Sequence, residues 1–311
     1  MKISVVLNRM AGSLLGRPAE DVVAAIETAF QAAGHQIVCA AVSGEALETK
    51  IRTAAAGDAD VVMVGGGDGT IATAAQILTG TGKALGVLPL GTMNLLARDL
   101  GLPLDLPAAI AVLADGEIAA IDMAEVNGRP VLNNSVIGLY ARMVQEREHQ
   151  RGIRNISKWP AMGLAFLKTL IDYPRLEVEL DLDGGRRRVL TPILAVANNA
   201  YDRGLGPVPT RSNLSAGILA VYIGRHRSRL HFLRLFGRFV TGAWIDDPDL
   251  EVHLVKEVTV HARRRMLRVA NDGEVHWTRM PLHYRIIPDG LRVLRPRRDA
   301  AGEPLLLRTS A

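Results

Sequence analysis

Short apolar runs alternate with amphipathic segments over the first 125 residues of the chain. The pattern predicts buried strands at 3–8, 36–42, 59–64 and 84–90. It predicts helices between them at 17–34, 44–57 and 70–80. Apolar strands that alternate with helices are typical of a parallel sheet covered on both faces. Such sheets bind ligands at the carboxyl ends of their strands, so the loops after residues 8, 64 and 90 are the candidate binding loops.

A different pattern begins near residue 126. Residues 175–199 and 250–277 alternate apolar and polar positions with period two, and Asp183-Gly184-Gly185 indicates a hairpin turn. Two helical patterns, at 156–171 and 227–242, interrupt the strands. We therefore predict an α/β domain with a parallel sheet over 1–125 and a mostly antiparallel β domain over 126–296. The tail, 297–311, is a candidate to return to the first domain.

Composition narrows the class of protein. The 311 residues are 48% hydrophobic and 22% charged, which is typical of a globular chain. Cys39 is the single cysteine, so an intrachain disulfide is excluded and the cytoplasm is the expected compartment. The net charge of +5 is too small to indicate nucleic acid, but it suits an anionic substrate or an acidic membrane surface. We find no uncharged stretch of transmembrane length and expect at most peripheral association.

The loop after the third predicted strand combines glycines with a carboxylate. It reads Gly65-Gly66-Gly67-Asp68-Gly69-Thr70 and opens a predicted helix. Glycine amides and a helix N-terminus suit a phosphate group. The loop lacks the Gly-Lys-Ser/Thr ending of a Walker A motif and the spacing of the dinucleotide fingerprint. For the glycines alone, a tight strand-to-helix turn with Asp68 as a helix cap is the favoured interpretation.

A second loop strengthens the phosphate interpretation. The segment PLGTMNLLARDLGLP, residues 89–103, also follows a strand and supplies Gly91, Thr92 and Asn94 at a helix start. Two such loops on neighbouring strands can hold the two ends of a polyphosphate.

Together these segments resemble the diacylglycerol kinase catalytic-domain family, which includes sphingosine kinases and bacterial lipid kinases and shares its fold with NAD kinases. The segments VVLNRMAGS (5–13), with Arg9 where the family has proline, and IDMAEVNGRPVLNNSVIGLYA (121–141) extend the likeness. So do VANDGEVHW (269–277) and PLHYRIIPDGLRVLRP (281–296), so that the resemblance covers nearly the whole chain. It implies an NAD kinase/diacylglycerol kinase-like fold.

The resemblance also implies the site residues. Asp272 is the implied catalytic base for the acceptor hydroxyl, although Asn271-Asp272-Gly273 by itself is also an ideal hairpin turn. Asp68 and Asp122 are the implied ligands of Mg²⁺, with Asp99 as a further candidate; Asp122 reads equally well as a polar residue at a strand start. The implied ATP-binding residues are Asn8, Gly12, Gly65, Gly66, Gly67, Asp68, Gly69, Thr70, Gly91, Thr92, Asn94 and Glu274.

The chain departs from the family pattern at one metal site. The family often has Asp-Asp-Gly where this chain has Ser215-Ala216-Gly217, and one of those aspartates holds a structural Mg²⁺. Tyr140 also replaces a common acidic residue. We therefore expect no structural Mg²⁺, and these changes leave open which lipid is used and whether the chain is active.

Two segments suit a lipid substrate. Apolar residues of the 227–242 segment recur at helical spacing among arginines, at Phe232, Leu235, Phe236, Phe239 and Val240. Such a helix lies on an anionic membrane or packs on the β domain. The apolar 159–171 segment lines an acyl-chain cleft or belongs to the core.

The resulting hypothesis is a cytoplasmic, peripherally membrane-associated lipid kinase. ATP binds the α/β domain, and a lipid alcohol, by default diacylglycerol, enters between the domains. A sphingoid base or phosphatidylglycerol is an alternative acceptor, and a non-catalytic nucleotide- or lipid-binding relative is an alternative class. An NAD kinase would carry a Thr-Pro-Thr-Gly-Ser-Thr-Ala-Tyr-like segment, which we do not find. The predicted partners are ATP, Mg²⁺, the lipid and a transient membrane surface, without nucleic acid; a homodimer through an edge of the β domain is left open.

Overall fold

A computed structural model gives the fold of the chain. It describes residues 1–14, 18–138, 176–182, 185–204, 208–225, 231, 234–235, 237–238 and 241–298. The predicted helix at 156–171 lies outside the described residues, as do most of the 227–242 segment and the tail from residue 299. Tyr140 is also outside them.

The chain divides into two compact units. The first unit consists of Met1–Met123, Ser212–Ser215 and the chain from Pro288 onward. The second unit consists of Ala124–Arg211 and Ala216–Ile287. The strand that begins at Leu282 therefore starts in the second unit and ends in the first.

The first unit is built around a parallel sheet of four strands in the order β2 (Gln36–Val42), β1 (Lys2–Asn8), β3 (Val61–Gly66) and β4 (Ala84–Pro89). The second half of the last strand, β16 (Leu282–Arg295), pairs in parallel with β4 through Arg292 and Val293. Every residue of β3 and β4 is buried, because helices cover the sheet. The elements of this unit are β1 (Lys2–Asn8), α1 (Ala19–Ala32), β2 (Gln36–Val42), α2 (Glu45–Ala56), β3 (Val61–Gly66), α3 (Asp68–Leu78), β4 (Ala84–Pro89), α4 (Leu95–Asp99) and α5 (Leu106–Ala114).

The register of the sheet places the predicted binding loops at one edge. Leu7 pairs with Gly65 and Gly66 pairs with Pro89, so β1, β3 and β4 end next to one another. The predicted helix at 70–80 begins earlier, at Asp68, because Gly67 already adopts the extended conformation of an N-cap. Helix α5 was not predicted, since LPAAIAVLA is almost uniformly apolar and shows no amphipathic period.

The second unit is mostly antiparallel. One sheet has six strands in the order β12 (Leu250–Val255), β11 (Leu219–Gly224), β10 (Ile193–Asn198), β7 (Asn134–Gly138), β14 (Met266–Asn271) and β15 (Glu274–Arg279). Outside that sheet, β13 (Glu257–Ala262) pairs with β8 (Leu176–Leu182) and with the first half of β16. Strand β5 (Glu117–Val126) enters this unit from the first. The other strands are β6 (Arg129–Val131), β7 (Asn134–Gly138), β8 (Leu176–Leu182), β9 (Gly185–Thr191), β10 (Ile193–Asn198), β11 (Leu219–Gly224), β12 (Leu250–Val255), β13 (Glu257–Ala262), β14 (Met266–Asn271) and β15 (Glu274–Arg279).

The main core of the second unit is an apolar cluster to which both sets of strands contribute, and a smaller cluster forms around Ala197, Ala220 and Tyr222. On β8, β10, β11 and β13, positions two residues apart are buried in the main cluster, which explains the period-two pattern of the sequence. The parallel α/β architecture and the antiparallel β architecture are as predicted. No helix within the described residues is long and apolar enough to cross a membrane.

Gly65 provides a test of the packing beneath the first binding loop. A Cβ atom at Gly65 would lie 2.6 Å from Leu7 Cδ2 and 2.7 Å from Leu90 Cδ1, and both leucines are fully buried. We expect Gly65→Ala to lower the free energy of unfolding by about 1–3 kcal/mol, since an overpacked core must shift. Urea unfolding measures the change. Gly12→Ala is the control, because a Cβ atom there meets nothing within 4 Å; equal losses in the two variants would contradict the explanation.

Candidate functional site

Three loops of the first unit meet at the carboxyl ends of the parallel strands. Asn8, at the end of β1, donates from Nδ2 to Oγ1 of Thr70 in the first turn of α3 (3.4 Å). Its Oδ1 accepts the amide of Met10 (2.9 Å), which fixes the start of its own loop. Asn8 therefore connects the first predicted loop to the glycine loop.

The glycines of this site are required for different reasons. A Cβ atom at Gly66 would lie 2.6 Å from the Thr70 side chain, so this glycine makes room within its own loop. A Cβ atom at Gly91 would lie 2.8 Å from Gly67 Cα and 2.9 Å from Asn94 Oδ1. The two loops thus approach with backbone against backbone, which only glycine permits. Gly67 and Gly91 remain partly exposed, and their backbones are accessible to a ligand.

Asp68 ties the two glycine-containing loops together. Its carboxylate accepts the amide of Leu95 (2.7 Å) and the amide of Asn94 (3.2 Å). These amides lie at the N-terminus of α4, so Asp68 caps that helix across the loops. The interpretation of Asp68 as a cap of its own helix is therefore wrong: α3 has no side-chain cap.

Asn94 shapes the second loop. It adopts a left-handed backbone conformation with φ of 52°. Its Oδ1 accepts the amide of Gly91 (2.8 Å), and its Nδ2 donates to the carbonyl of Gly91 (3.0 Å). Thr92, between the two, is exposed, as is Gly12 of the first loop. The result is a pre-formed, partly exposed group of loop amides beside the N-terminus of α3, an arrangement that suits an anion.

The three carboxylates predicted to bind Mg²⁺ lie on different elements: Asp68 on α3, Asp99 on α4 and Asp122 on β5. Asp122, on β5, is buried, and its Oδ1 accepts the amide of Asp289 (3.2 Å). Asp99 is buried at the end of α4. Within the described part of the chain, no three His, Cys, Asp or Glu side chains are grouped to hold a metal ion. Ionised carboxylate oxygens accept more than one bond, so the hydrogen bonds to Asp68 leave room for a cation.

The segment that replaces the family's structural metal site lacks the donors for Mg²⁺. Ser215 Oγ donates to the carbonyl of Ala120 (3.1 Å), and Ala216 has no polar side-chain atom. Mg²⁺ favours carboxylate oxygens, and neither residue supplies one. The residues present therefore do not fit this ion.

In the second unit, Asp272 lies at the tip of a hairpin. Asp272 and Gly273 join β14 to β15 with positive φ values of 50° and 84°, the geometry of the turn that Asn-Asp-Gly favours. The carboxylate accepts three backbone amides, from Leu132 (2.9 Å), Asn133 (2.6 Å) and Asn134 (3.3 Å). The interpretation of Asn271-Asp272-Gly273 as a hairpin turn is thus correct for the backbone. The Asp272 side chain in addition binds three amides of a different segment, which a turn does not require.

The surroundings of Asp272 alter its acidity. Burial raises the pKa of the carboxyl above its ordinary value. The three amide hydrogen bonds and the nearby Arg211 guanidinium oppose the shift, but the pKa stays raised. A carboxylate whose pKa is raised is a better proton acceptor than an ordinary aspartate, and such groups concentrate at functional sites.

Arg211 was missed by the sequence reasoning. It is 1% exposed, and it is the largest fully buried side chain within the described residues. Its guanidinium donates to the carbonyls of Leu132 (3.1 Å) and Asn198 (2.8 Å) and to Asn133 Oδ1 (2.8 Å). Arg211 therefore fixes the segment whose amides hold Asp272. No local pattern separates Arg211 from the many exposed arginines, so the sequence offered no signal.

An aromatic cluster supports the same segment. Asn134 Nδ2 donates to the hydroxyl of Tyr201 (2.7 Å), and the amide of Tyr201 donates to the hydroxyl of Tyr222 (3.0 Å). Trp244 packs against both tyrosine rings, with ring centroids 5.7 and 5.4 Å away. Burial raises the pKa of Tyr222 to about 12, so it stays a hydroxyl at neutral pH. These rings were also missed, since their spacing in the chain is irregular.

Glu274 is the predicted ATP contact of the second unit. It is exposed at the start of β15, and His276 Nε2 lies 3.6 Å from its Oε2. The structure thus brings Asn8, the glycine loop at 65–70 and the loop of Gly91 and Asn94 together in one cluster, whereas Asp122 lies on β5 and accepts the amide of Asp289. It places Asp272 and Glu274 two positions apart on one hairpin.

Comparisons with known proteins agree with this arrangement. The diacylglycerol kinase catalytic domain model matches residues 2–126, and the YegS C-terminal NAD kinase beta sandwich-like domain model matches residues 136–295. A diacylglycerol kinase of Mycobacterium tuberculosis is 32% identical over 82% of this chain and 84% of the relative. One from Bacillus subtilis is 24% identical over 80% of each chain. A crystal structure of a Bacillus anthracis diacylglycerol kinase covers 97% of this chain and 98% of its own, with a TM-score of 0.69 at 18% identity.

The family models and the relatives show a lipid kinase with the NAD kinase-like architecture, which confirms the predicted fold class. The chain belongs to the diacylglycerol kinase family.

Asp68 provides a test of the connection between the loops. We expect Asp68→Ala to lower the free energy of unfolding by about 1–2 kcal/mol, because the amides of Asn94 and Leu95 lose their acceptor. Urea unfolding measures the loss. Asp68→Asn is the matched control, since its carbonyl oxygen retains one acceptor and should recover part of the stability. An alanine variant as stable as the wild type would show that the two hydrogen bonds contribute nothing.

Arg211 gives a larger expected effect. Arg211→Met preserves the length of the side chain but removes the donor to the Asn198 carbonyl and to Asn133 Oδ1, while the Leu132 carbonyl keeps the Asn198 Nδ2 donor. We expect the free energy of unfolding to fall by about 3 kcal/mol or more. Arg211→Lys, which keeps the charge with fewer donors, should lie between Met and the wild type. Arg129→Met, at an exposed arginine, should change stability by less than about 0.5 kcal/mol; similar losses at both sites would contradict the assigned role.

Proposed function

We propose that the chain is an ATP-dependent lipid kinase that phosphorylates a lipid hydroxyl, with diacylglycerol as the acceptor and phosphatidic acid as the product. Membership of the diacylglycerol kinase family supports the class of reaction. The observation that carries the proposal is the Asp272 carboxylate, held by three backbone amides with its pKa raised by burial. A raised pKa suits a group that accepts a proton from a hydroxyl.

The first unit supplies the nucleotide site in this proposal. The phosphates of ATP lie against the loop amides of Gly67 and Gly69 and against the N-terminus of α3, beside the Gly91 backbone. Asn8, Thr70 and Asn94 hold the loops in position, as their hydrogen bonds indicate. Gly12, Gly65, Gly66, Thr92 and Glu274 complete the proposed ATP-binding set. Mg²⁺ offsets phosphate charge when it is bound, and Asp68 and Asp122 are its proposed ligands, directly or through water.

The second unit supplies the base. Asp272 accepts the proton of the acceptor hydroxyl, the hydroxyl oxygen forms a bond to the γ-phosphorus, and the bond from that phosphorus to the β-phosphate oxygen breaks to release ADP. Phosphoryl transfer depends mainly on positioning and on cancelling charge. The protein contributes to positioning through the Asp272 carboxylate, which three amides hold in place, and through the two glycine-containing loops, which Asp68 connects.

A different acceptor, such as a sphingoid base or phosphatidylglycerol, fits the same chemistry. A non-catalytic relative is the second candidate, and the observation that favours it is the loss of the carboxylates at Ser215 and Ala216. We further propose that the protein is cytoplasmic and visits the membrane surface to reach its substrate, and the homodimer stays a prediction.

The decisive test is transfer of radiolabelled phosphate from ATP to lipids in mixed micelles, with and without Mg²⁺. We expect Asp272→Asn to lower the rate by about 100-fold or more, because it removes the general base. Asparagine tolerates the left-handed backbone at this turn, and its Oδ1 can keep the amides of Asn133 and Asn134, so the fold should survive although the Leu132 amide loses its acceptor. The control is a cooperative thermal unfolding transition whose midpoint lies well above the assay temperature. Tight ATP binding without transfer to any lipid would favour the non-catalytic relative.

The pH profile of the wild type gives an independent check of Asp272. The base acts in its ionised form, so kcat/KM should fall as the pH drops through the pKa of Asp272. That pKa is raised, and the decline should therefore begin above the ordinary aspartate range near pH ~4. An active Asp272→Asn variant, or a flat profile down to pH ~4, would assign the base to another group.

A further inference from the structure

The hairpin that holds Asp272 carries a second feature away from its tip. Trp277 on β15 is 61% exposed, and Met266 on β14 is 42% exposed. The guanidinium carbon of Arg268 lies 4.8 Å from the centre of the Trp277 ring. A large exposed tryptophan is uncommon on a soluble surface and marks a site of interaction when cations surround it.

The register of the hairpin places these side chains on one face. Met266 pairs with Arg279, and Arg268 pairs with Trp277. Positions two apart on a strand share a face, so all four belong to the same side of the hairpin. Glu274 and His276 alternate with Trp277 and Arg279, which places them on the opposite side. Among the strands that the structure describes, β15 is also the last of its sheet, with β14 as its one neighbour there.

Arginines flank the two apolar side chains in the sequence and in the register of the hairpin. The turn before β14 consists of three exposed arginines, of which Arg263 forms a loose ion pair with Glu177 (3.5 Å). Arg264, Arg265, Arg268 and Arg279 form no ion pair with any described residue. We call the group Arg264, Arg265, Met266, Arg268, Trp277 and Arg279 the arginine–tryptophan surface.

We propose that the arginine–tryptophan surface docks the protein onto an anionic lipid bilayer. Trp277 and Met266 enter the interfacial region, where an amphipathic indole ring is stable. The arginines contact lipid phosphates, which guanidinium groups bind through paired hydrogen bonds. The choice of a bilayer over another anionic partner rests on the proposed function.

The position of the surface on the hairpin connects it to the proposed reaction. The pair of Arg268 and Trp277 lies three residues from the end of β14 at Asn271. At a rise of about 3.4 Å per residue, this is about 10 Å along the strand. Docking through this surface therefore brings the headgroup region close to Asp272. The same rigid hairpin would carry both the membrane contact and the base.

Vesicle co-sedimentation without ATP tests the proposal. The vesicles are phosphatidylcholine alone and phosphatidylcholine mixed with phosphatidylglycerol. We expect the wild type to bind the anionic vesicles and Arg264→Gln/Arg265→Gln to lose affinity by roughly fivefold per arginine. Trp277→Ala should also weaken binding, because the interfacial side chain is removed. All of these positions are exposed, so unfolding midpoints should not change.

Two matched controls separate this surface from general charge and hydrophobicity. Lys50→Gln/Arg52→Gln, on α2, removes the same charge elsewhere, and Leu190→Ala truncates another exposed apolar residue, 52% exposed on β9. Both should bind the anionic vesicles as the wild type does. Equal losses in the control and surface variants, or unchanged binding in the surface variants, would overturn the proposal. So would wild-type binding that does not distinguish the two kinds of vesicle.

A kinase assay separates failure of this proposal from failure of the proposed function. The surface variants should phosphorylate a dissolved short-chain diacylglycerol at the wild-type rate and lose activity on the anionic vesicles. Activity on vesicles that is indifferent to the variants would overturn the docking surface and leave the kinase proposal standing. Vesicle binding that depends on the surface, in a protein without transfer to any lipid, would support the surface and overturn the kinase proposal.

Discussion

A buried backbone amide outside a helix or sheet needs a hydrogen-bond acceptor. In each unit, one aspartate is the acceptor for the amides of a segment at the proposed site. Asp68 accepts the amides that open α4, and Asp272 accepts three consecutive amides from 132 to 134. An unpaired buried amide costs about 1–3 kcal/mol, so each carboxylate largely determines the shape of its segment. The loops are therefore held in place by the residues that the proposed reaction uses.

This double use explains the arrangement around Asp272. A buried carboxylate is unfavourable unless donors surround it, and here the donors are amides fixed by Arg211 and by the tyrosine cluster. The supporting groups compensate only in part, since the pKa stays raised. The raised pKa makes Asp272 a stronger proton acceptor than an ordinary aspartate.

The fold of the chain was largely predictable because its strands report their environment. Uniformly apolar β3 and β4 indicate burial on two faces, and alternating β8 and β13 indicate burial on one. Helix α5 escaped prediction because a uniformly apolar segment has no period to read. The glycine loops were recognised, but Gly65 and Gly66 make room for neighbouring side chains, which spacing alone does not show. Arg211 and Tyr201 were not predictable, since their partners are distant in the sequence.

Arg211 determines how the segment that binds Asp272 in the second unit keeps its structure. A bound ion stabilises a site only while the free ion concentration exceeds the dissociation constant of the site. The stability of a structure that depends on such an ion therefore changes with the ion concentration. A guanidinium is attached to the chain and keeps its charge at every pH that a cell reaches. The three acceptors that Arg211 holds are therefore occupied from the moment the unit folds. Their occupancy is encoded in the chain and is independent of the ionic conditions around it.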